Sequence, residues 1–242
     1  MSELIPGRQA LRVRDGLLDY LTTTFALADA GARTALHELL SDEAEGMFKG
    51  PYLKTGMPFA AAPRHEAASL DYLPEGFRPY WHQASAFRRL TSLHGRRPEP
   101  TLVTTGTGSG KTEAFTLPIL DHCLRARRAG VKGIKALILY PMNALANDQA
   151  GRLAKQFTEL GGLTAALYTG EEGPKRTTVS AQGLITDRAI IRDSPPDILL
   201  TNYKMLDQLL LRADDASLWE RSAHSLQYLV LDEFHTYDGA QG

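Results

Sequence analysis

The sequence TGTGSGKT occupies residues 105–112, directly after a β-branched and apolar run, TLVT, at 101–104. The residues that follow, EAFTL at 113–117, favour a helix. A strand, a glycine-rich turn and a Gly-Lys-Thr sequence that leads into a helix are typical of a phosphate-binding P-loop. We therefore predict a strand at 101–104, a phosphate-binding turn at 105–112 and a helix after it.

The residue types of this turn suit a polyphosphate ligand. Its glycines let the backbone fold around the phosphates with N–H groups pointing inward, and the following helix adds its positive end. Lys111 would reach the β- and γ-phosphates, and the hydroxyl of Thr112 would bind Mg²⁺. The motif departs from its usual form at Thr105, where a glycine is expected. The residues predicted to bind the nucleotide here are Thr107, Gly108, Ser109, Gly110, Lys111 and Thr112.

Two questions stay open at this point. A chance glycine-rich surface turn is the competing interpretation of the loop, although the flanking strand and helix patterns favour the P-loop. A P-loop by itself also does not separate an ATPase from a GTPase or a kinase, so the rest of the chain has to decide.

Composition limits the classes of protein that this chain can belong to. The 242 residues suffice for one large domain or one domain with an appendage, and their net charge of -1 does not indicate a polyanionic partner. Cys123 is the only cysteine, which excludes an intrachain disulfide and a cysteine-based zinc site. The sequence has no long apolar run and no signal-peptide pattern, so we expect no membrane partner and a cytoplasmic location.

The first part of the chain, residues 1–70, is predicted to be a helical appendage. Leu11, Leu18, Leu21 and Phe25 recur at the spacing of an amphipathic helix that ends by Gly31. A second short helix is predicted at 34–40, and a loop rich in glycine and proline follows it.

Apolar runs alternate with helical patterns over residues 71–242, which we predict to be one domain. Alternation of this kind predicts an α/β fold with a parallel sheet that helices cover on both faces. After 101–104, strands are predicted at 135–140, 163–168, 197–200 and 228–231. Helices are predicted at 84–93, 141–160 and 203–211, with a short helix within 184–191.

Polar residues follow the predicted strands, where parallel sheets bind their ligands. Asp232 and Glu233 come directly after the last strand. In phosphoryl transfer, the first carboxylate would hold Mg²⁺, and the second would polarise the attacking water. The competing interpretation is a solvated acidic pair that only terminates the strand. The polar residues that follow the other strands are Asn143, Thr169, Gly170 and Thr201.

Gln83 lies upstream of the loop by about one helix and one strand. Its amide can pair with the N6/N7 edge of adenine by donating one hydrogen bond and accepting another. Tyr80 or Arg78 could stack on the purine. The alternative is that Tyr80 and its aromatic neighbours belong to the core and that Gln83 only starts a helix.

In this order and at this separation, these motifs resemble the first RecA-like domain of a superfamily 2 helicase of the DEAD/DEAH-box type. The resemblance runs from about Phe77 to the end of the chain. Gln83 is similar to the family's Q motif, residues 107–112 to motif I, 141–149 to motif Ia, and 232–235 to motif II. Thr169 and Gly170 resemble motif Ib. The residues of these motifs are most similar to those of large bacterial helicases of the RecQ-like/YprA-like branch, some of which serve in phage defence.

The resemblance implies a RecA-like P-loop domain that uses ATP and Mg²⁺, with Lys111, Asp232 and Glu233 as catalytic residues. It also implies that Asn143, Thr169, Gly170 and Thr201 contact the nucleic-acid backbone, with single-stranded DNA favoured over RNA. Because the chain ends just past motif II, we expect it to need a second RecA-like domain, in cis or in trans, and to hydrolyse ATP poorly alone. The alternatives are half of an RNA helicase, a nucleotide-dependent binding module without motor action, and a P-loop kinase.

Overall fold

A computed structural model describes residues 6–42, 44–49, 58–63, 69–106, 108–171 and 173–237, except for the side chains of Pro6 and Glu159. The chain divides into two compact units, Met1–Pro58 and Phe59–Gly242. Residues 59–63 therefore belong to the second unit, where Ala61 pairs with Tyr80 in an isolated bridge. The domain boundary at residue 70 stays a prediction.

The described residues of the first unit include two helices, as expected. Helix α1 spans Pro6–Thr24 and helix α2 spans Ala30–Ser41. Helix α2 starts earlier than predicted because the Asp29 carboxylate accepts a hydrogen bond from Ala32 N at 2.8 Å, which caps the helix.

The second unit is built on a parallel four-stranded sheet, which confirms the predicted α/β fold. Its strands are β1 (Ala136–Tyr140), β2 (Ala165–Tyr168), β3 (Ile198–Asn202) and β4 (Tyr228–Leu231), in the spatial order β2-β3-β1-β4. Every residue of the central strands β1 and β3 is buried, as expected for strands with neighbours on both sides and helices on both faces.

Helices cover both faces of this sheet. Phe87, Leu117 and Phe157 pack on one face, and Ile191, Leu209 and Leu218 pack on the other. None of the helices in the described part of the chain is long and apolar enough to cross a membrane. The helices on the first face are α3 (Trp81–Leu90), α4 (Lys111–Arg128) and α5 (Asn143–Leu160). Those on the second face are α6 (Arg188–Asp193), α7 (Tyr203–Leu211) and α8 (Ala216–Glu220).

The strand predicted at 101–104 is wrong, since these residues form no regular secondary structure. Leu102 is 73% exposed. Within the described residues, β4 pairs only with β1, and its Leu229 is 62% exposed. A β-branched, apolar composition expresses a preference for a half-buried pleated surface, but a strand also needs a neighbour. No described strand stands beside 101–104 to provide one.

Candidate functional site

The glycine-rich turn leads into helix α4 as predicted. Gly108 and Gly110 have φ angles of +72° and +74°, in the left-handed region that favours glycine. Gly110 is the N-cap of α4, and Lys111 is its first residue. The hydroxyls of Thr105 and Ser109 are hydrogen-bonded at 2.5 Å and close the turn. Thr107 lies outside the described residues.

The side chain of Lys111 folds back across the turn. Its Nζ donates to the carbonyl oxygen of Thr105 at 3.0 Å and to that of Gly106 at 3.4 Å. Burial raises the pKa of Asp232, and the charge of Lys111 opposes part of that rise, so the ammonium lies near the carboxylate. Thr112, the next residue of α4, is partly buried.

Gln83 holds the turn against helix α3. Its Nε2 donates to Gly110 O at 2.9 Å and its Oε1 accepts from Tyr80 N at 2.9 Å, and the residue is only 2% exposed. A side-chain amide offers two donor hydrogens and two lone pairs, so each end keeps capacity for one further bond. The adenine contact therefore stays a prediction, and the structure adds a second role in fixing the loop.

An aromatic cluster that was not predicted from the sequence lies beside the turn. The Phe59 ring lies 5.5 Å from that of Tyr80 and 5.6 Å from that of His82, between centroids. His82 Nε2 donates to Ser109 O at 2.9 Å. A Cβ on Gly106 would lie 3.8 Å from the Phe59 ring, so this ring borders the loop. Phe59 stands in a glycine- and proline-rich stretch without periodicity, and only the tertiary fold brings it here.

The two acids sit at the carboxyl end of β4. Asp232 N donates to Leu139 O at 3.0 Å, which extends the pairing of β4 with β1 by one residue. Asp232 Oδ1 accepts from Glu233 N at 3.0 Å. Glu233 has a φ of +50°, which is uncommon for a residue with a side chain and turns the chain sharply after the strand. His235 Nδ1 lies 3.5 Å from Glu233 Oε2.

Burial raises the pKa of Asp232, and the adjacent charge of Glu233 raises it further, while the Glu233 N–H and Lys111 oppose the shift. A half-buried carboxylate whose neighbours only partly offset the cost of burying its charge is a favourable ligand for a cation. The hydroxyl of Thr112 and the carboxylate of Asp232 are the hard oxygen ligands that Mg²⁺ takes in small number beside phosphates and water. Within the described residues, no group of three or more His, Cys, Asp or Glu side chains could hold a metal alone. These residues therefore fit a magnesium ion that is bound together with a nucleotide.

Two helix N-termini meet at the same edge of the sheet. Asn143 begins α5, and its Oδ1 accepts from Asn202 Nδ2 at 2.5 Å. Asn202 Oδ1 in turn accepts from Met205 N at 2.8 Å and caps α7. Unpaired N–H groups at helix N-termini are suited to binding phosphates. The hydrogen bond between Asn143 and Asn202 therefore holds two such N-termini side by side.

The other predicted nucleic-acid residues differ in their exposure. Gly170 is exposed and Thr169 partly buried at the end of β2. Thr201 is completely buried, and its hydroxyl donates to Tyr168 O at 2.7 Å, so it links two strands. Arg188, which the sequence reasoning missed, donates to Thr169 O at 3.1 Å and places its exposed guanidinium beside this edge.

Residues 80–242 match the family model described as DEAD/DEAH box helicase. The Druantia protein DruE of Escherichia coli (strain UMEA 4076-1) is 26% identical over 94% of this chain and 18% of its own length. The uncharacterized ATP-dependent helicase YprA of Bacillus subtilis (strain 168) is 31% identical over 67% of this chain and 19% of its own length. The chain thus spans about a fifth of the length of these relatives.

A solved structure shows the same fold. The crystal structure of the DUF1998 helicase MrfA bound to DNA and AMPPNP has a TM-score of 0.53 at 28% identity. The similarity covers 76% of this chain and 23% of that chain. The matched residues include both the turn before α4 and the acids after β4. This chain belongs to the DEAD/DEAH box helicase family, and its second unit is the first RecA-like domain of a superfamily 2 helicase.

Proposed function

We propose that this chain is the ATP-binding part of an ATP-dependent DNA helicase or translocase. The family uses ATP and acts on nucleic acids. We propose in addition which residues bind Mg-ATP and which contact the nucleic acid, and that this nucleic acid is DNA. One observation carries it. Lys111, the first residue of α4, folds across the glycine-rich turn, and Asp232 directly follows β4. The pKa of Asp232 is raised, chiefly by burial, and Lys111 is near enough for its charge to oppose that rise.

In this proposal, the backbone N–H groups around Gly108 and Gly110 surround the phosphates, and Lys111 binds the β- and γ-phosphates. Thr112 and Asp232 hold Mg²⁺, which when bound would neutralise charge on the phosphate oxygens. Glu233 orients and polarises the attacking water. The arrangement of Gln83 supports an adenine contact through its spare donor and acceptor.

The purine has an aromatic surface available. Tyr80 and His82 stack at 5.8 Å between centroids, and the Phe59 ring packs against both. We propose that the adenine ring lies against Phe59 or Tyr80. Base–aromatic stacking is worth about 1–3 kcal/mol, which is enough to fix the orientation of a base whose phosphates are already bound.

We propose that the nucleic acid runs along the N-termini of α5 and α7, with Asn143, Thr169 and Gly170 contacting backbone phosphates. The fully buried Thr201 would act by supporting this edge. DNA is favoured over RNA because MrfA, a structural neighbour, was crystallised with DNA, and we propose that the bound form is single-stranded. A cytoplasmic location belongs to this proposal.

A second RecA-like domain, in the same polypeptide or a separate one, completes the active site in this proposal. The chain spans about a fifth of its relatives, which leaves ample length in them for such a domain. Groups supplied from across a phosphoryl-transfer site can accelerate it by roughly 10³- to 10⁵-fold. We therefore expect slow ATP hydrolysis by this chain alone.

The test measures Mg-ATP binding, ATP hydrolysis and binding of single-stranded DNA and RNA oligonucleotides of equal sequence. We expect nucleotide binding, slow hydrolysis and tighter binding of DNA. Lys111→Ala should weaken nucleotide binding at least tenfold, whereas Lys155→Ala, on the exposed side of α5, should not. Retained affinity in Lys111→Ala would refute the P-loop assignment. Rapid DNA-stimulated hydrolysis would refute the need for a second domain, and tighter binding of RNA would reassign the polymer.

A further inference from the structure

Tyr237 follows the two acids in the chain and contacts the first residue of α7. Its ring meets that of Tyr203, the first residue of α7, edge to face, with centroids 6.3 Å apart and planes at 78°. The Nζ of Lys204, an exposed cation, lies 5.8 Å from the centroid of the Tyr203 ring. A continuous set of side-chain contacts therefore runs from a surface cation to a residue five positions after Asp232.

The other end of Tyr237 is its hydroxyl, which is buried and has no hydrogen-bond partner among the described residues. Burial raises the pKa of Tyr237 to about 12, and the charge of Asp232 contributes to the shift, so the two groups are electrostatic neighbours. A buried hydroxyl without a partner is unfavourable. A change around Asp232 that supplies a hydrogen-bond partner would therefore stabilise this hydroxyl.

We propose that Tyr237 is a positioning residue that couples nucleotide binding to nucleic-acid binding. Its hydroxyl acquires a hydrogen-bond partner beside Asp232 when Mg-nucleotide is bound, and its ring then holds Tyr203 and the N-terminus of α7 in place. Lys204 and the first N–H groups of α7 are thereby ordered for a backbone phosphate. This inference rests on the proposed function, because it requires both ligands to bind at these places.

Thermodynamic linkage makes the proposal measurable, because two coupled ligands change each other's affinity by the same factor. The affinity of Mg-AMPPNP is measured with and without a saturating single-stranded DNA oligonucleotide, and the ratio of the two affinities is the coupling factor. We expect DNA to tighten nucleotide binding by about fivefold or more in the natural chain.

The variants separate the hydroxyl from the ring. Tyr237→Phe removes only the hydroxyl, and Tyr203→Ala removes only the ring that Tyr237 contacts. Each should bring the coupling factor close to one, while either ligand alone binds within about threefold of its original affinity. The double variant should lose no more coupling than either single variant, because both act in one chain of contacts.

Three controls exclude a merely structural effect. Tyr203→Phe keeps the ring and should keep the coupling. Tyr228→Phe removes a hydroxyl that donates to Leu90 O at 2.8 Å, so it should lower the melting temperature and leave the coupling unchanged. Tyr237→Phe should melt at the same temperature or higher, because it removes a buried hydroxyl without a partner.

The outcomes distinguish the inference from the proposed function. If both ligands bind but Tyr237→Phe keeps the full coupling factor, the role of Tyr237 is refuted and the proposed function stands. A natural chain that binds both ligands independently refutes the inference in the same way. If the natural chain binds neither ligand, the proposed function itself fails.

Discussion

At the scale of single residues, the two left-handed glycines of the turn form a matched pair. A Cβ on Gly110 would lie 2.3 Å from Gln83 Nε2, whereas a Cβ on Gly108 would meet nothing within 4 Å. Gly108→Ala should therefore cost only the strain of the left-handed backbone, about 1–2 kcal/mol. Gly110→Ala should cost about 1–3 kcal/mol more, because it displaces Gln83 from its two hydrogen bonds.

Urea unfolding of the two variants measures this difference, and nucleotide titration measures its effect on the site. Gly110→Ala should also weaken Mg-AMPPNP binding more than Gly108→Ala does. Equal losses of unfolding free energy in both variants would show that Gln83 does not hold the turn.

His122 is the residue whose titration should shape stability in mild acid. Burial and, to a smaller extent, the charge of Arg125 lower its pKa to about 4 from an ordinary 6.5, and it is hydrogen-bonded to the hydroxyl of Ser92 at 2.7 Å. Because the pKa is lower in the folded chain, this stability is fully present above pH 6.5 and falls away as the pH approaches 4. With partial solvent screening, the loss should be about 1–3 kcal/mol.

Free energies of unfolding between pH 7.5 and 4 test this on the natural chain and on His122→Gln, whose amide can still bond to Ser92. The variant should show a flatter pH dependence. The control is His224→Gln, which changes an exposed histidine. An unchanged slope in His122→Gln would mean that other groups govern acid stability.

The sequence predicts the site residues whose chemistry follows from a motif, such as Lys111 and Asp232, and their roles stay predictions. Sequence reasoning missed Phe59 and His82, because their roles depend on which carbonyls and rings the folded chain brings beside the turn. It also assigned one partner to Gln83, which the fold already engages with Tyr80 and Gly110. The partners of a side chain depend on the tertiary fold, and the spacing of residues along the sequence does not encode them.

At the scale of elements, Asp197 anchors the amino ends of the strands. Its buried carboxylate accepts from Lys135 Nζ and from Arg127 Nη1, both at 2.8 Å, and from the N–H and hydroxyl of Thr164. Lys135 is 2% exposed. Asp197→Ala should cost about 3–5 kcal/mol, because it leaves a buried ammonium without its partner.

The double variant Lys135→Met/Asp197→Leu removes both buried charges. It should recover much of the stability that Asp197→Ala loses, as an apolar pair of similar volume often does. Urea unfolding measures both changes. If the double variant is less stable than Asp197→Ala, the bonds to Thr164 and Arg127 matter more than the buried charge of Lys135.

Strand β4 presents an open, apolar edge in the described part of the chain. Leu229 is 62% exposed, whereas Leu137, its partner in register on β1, is 3% exposed. Exposed strand edges promote association between chains, and a lysine opposes it. Leu229→Lys should therefore reduce self-association with little change in stability.

Light scattering at rising protein concentration measures the association, and thermal unfolding measures the stability. Leu137→Lys is the control, since the same change on the neighbouring strand buries a charge and should unfold the domain. Unchanged association in Leu229→Lys would show that this edge does not mediate contacts between chains.

Four strands and the main helices were predicted close to their observed bounds, because buried parallel strands are continuous apolar runs between helical patterns. Helix α3 begins at Trp81 rather than 84, since Gln83 caps it through Tyr80 N. The strand that was wrongly predicted at 101–104 has the opposite lesson: composition predicts a preference, and pairing decides whether a strand forms.

At the scale of the whole molecule, the parallel sheet turns distant motifs into one site. Loops that follow β1, β2, β3 and β4 open at the same edge, which gathers residues 143, 169, 202 and 232 there. The turn before α4 follows no described strand, and the packing of α3 and α4 places it. The sequence predicts this edge because every strand in a parallel sheet points the same way. The sequence does not predict the distances across the edge, which depend on the packing of α3, α4 and α7.

The account depends on one nucleotide being shared by the turn before α4 and the acid after β4. Its most direct test is the titration of AMPPNP in Mg²⁺ and in EDTA, on the natural chain and on Asp232→Asn. We predict that Mg²⁺ tightens binding at least tenfold in the natural chain, and that Asp232→Asn loses most of this gain but keeps the affinity in EDTA. An equal gain from Mg²⁺ in both proteins would contradict the account, because Asp232 would then not hold the metal of the nucleotide that Lys111 binds.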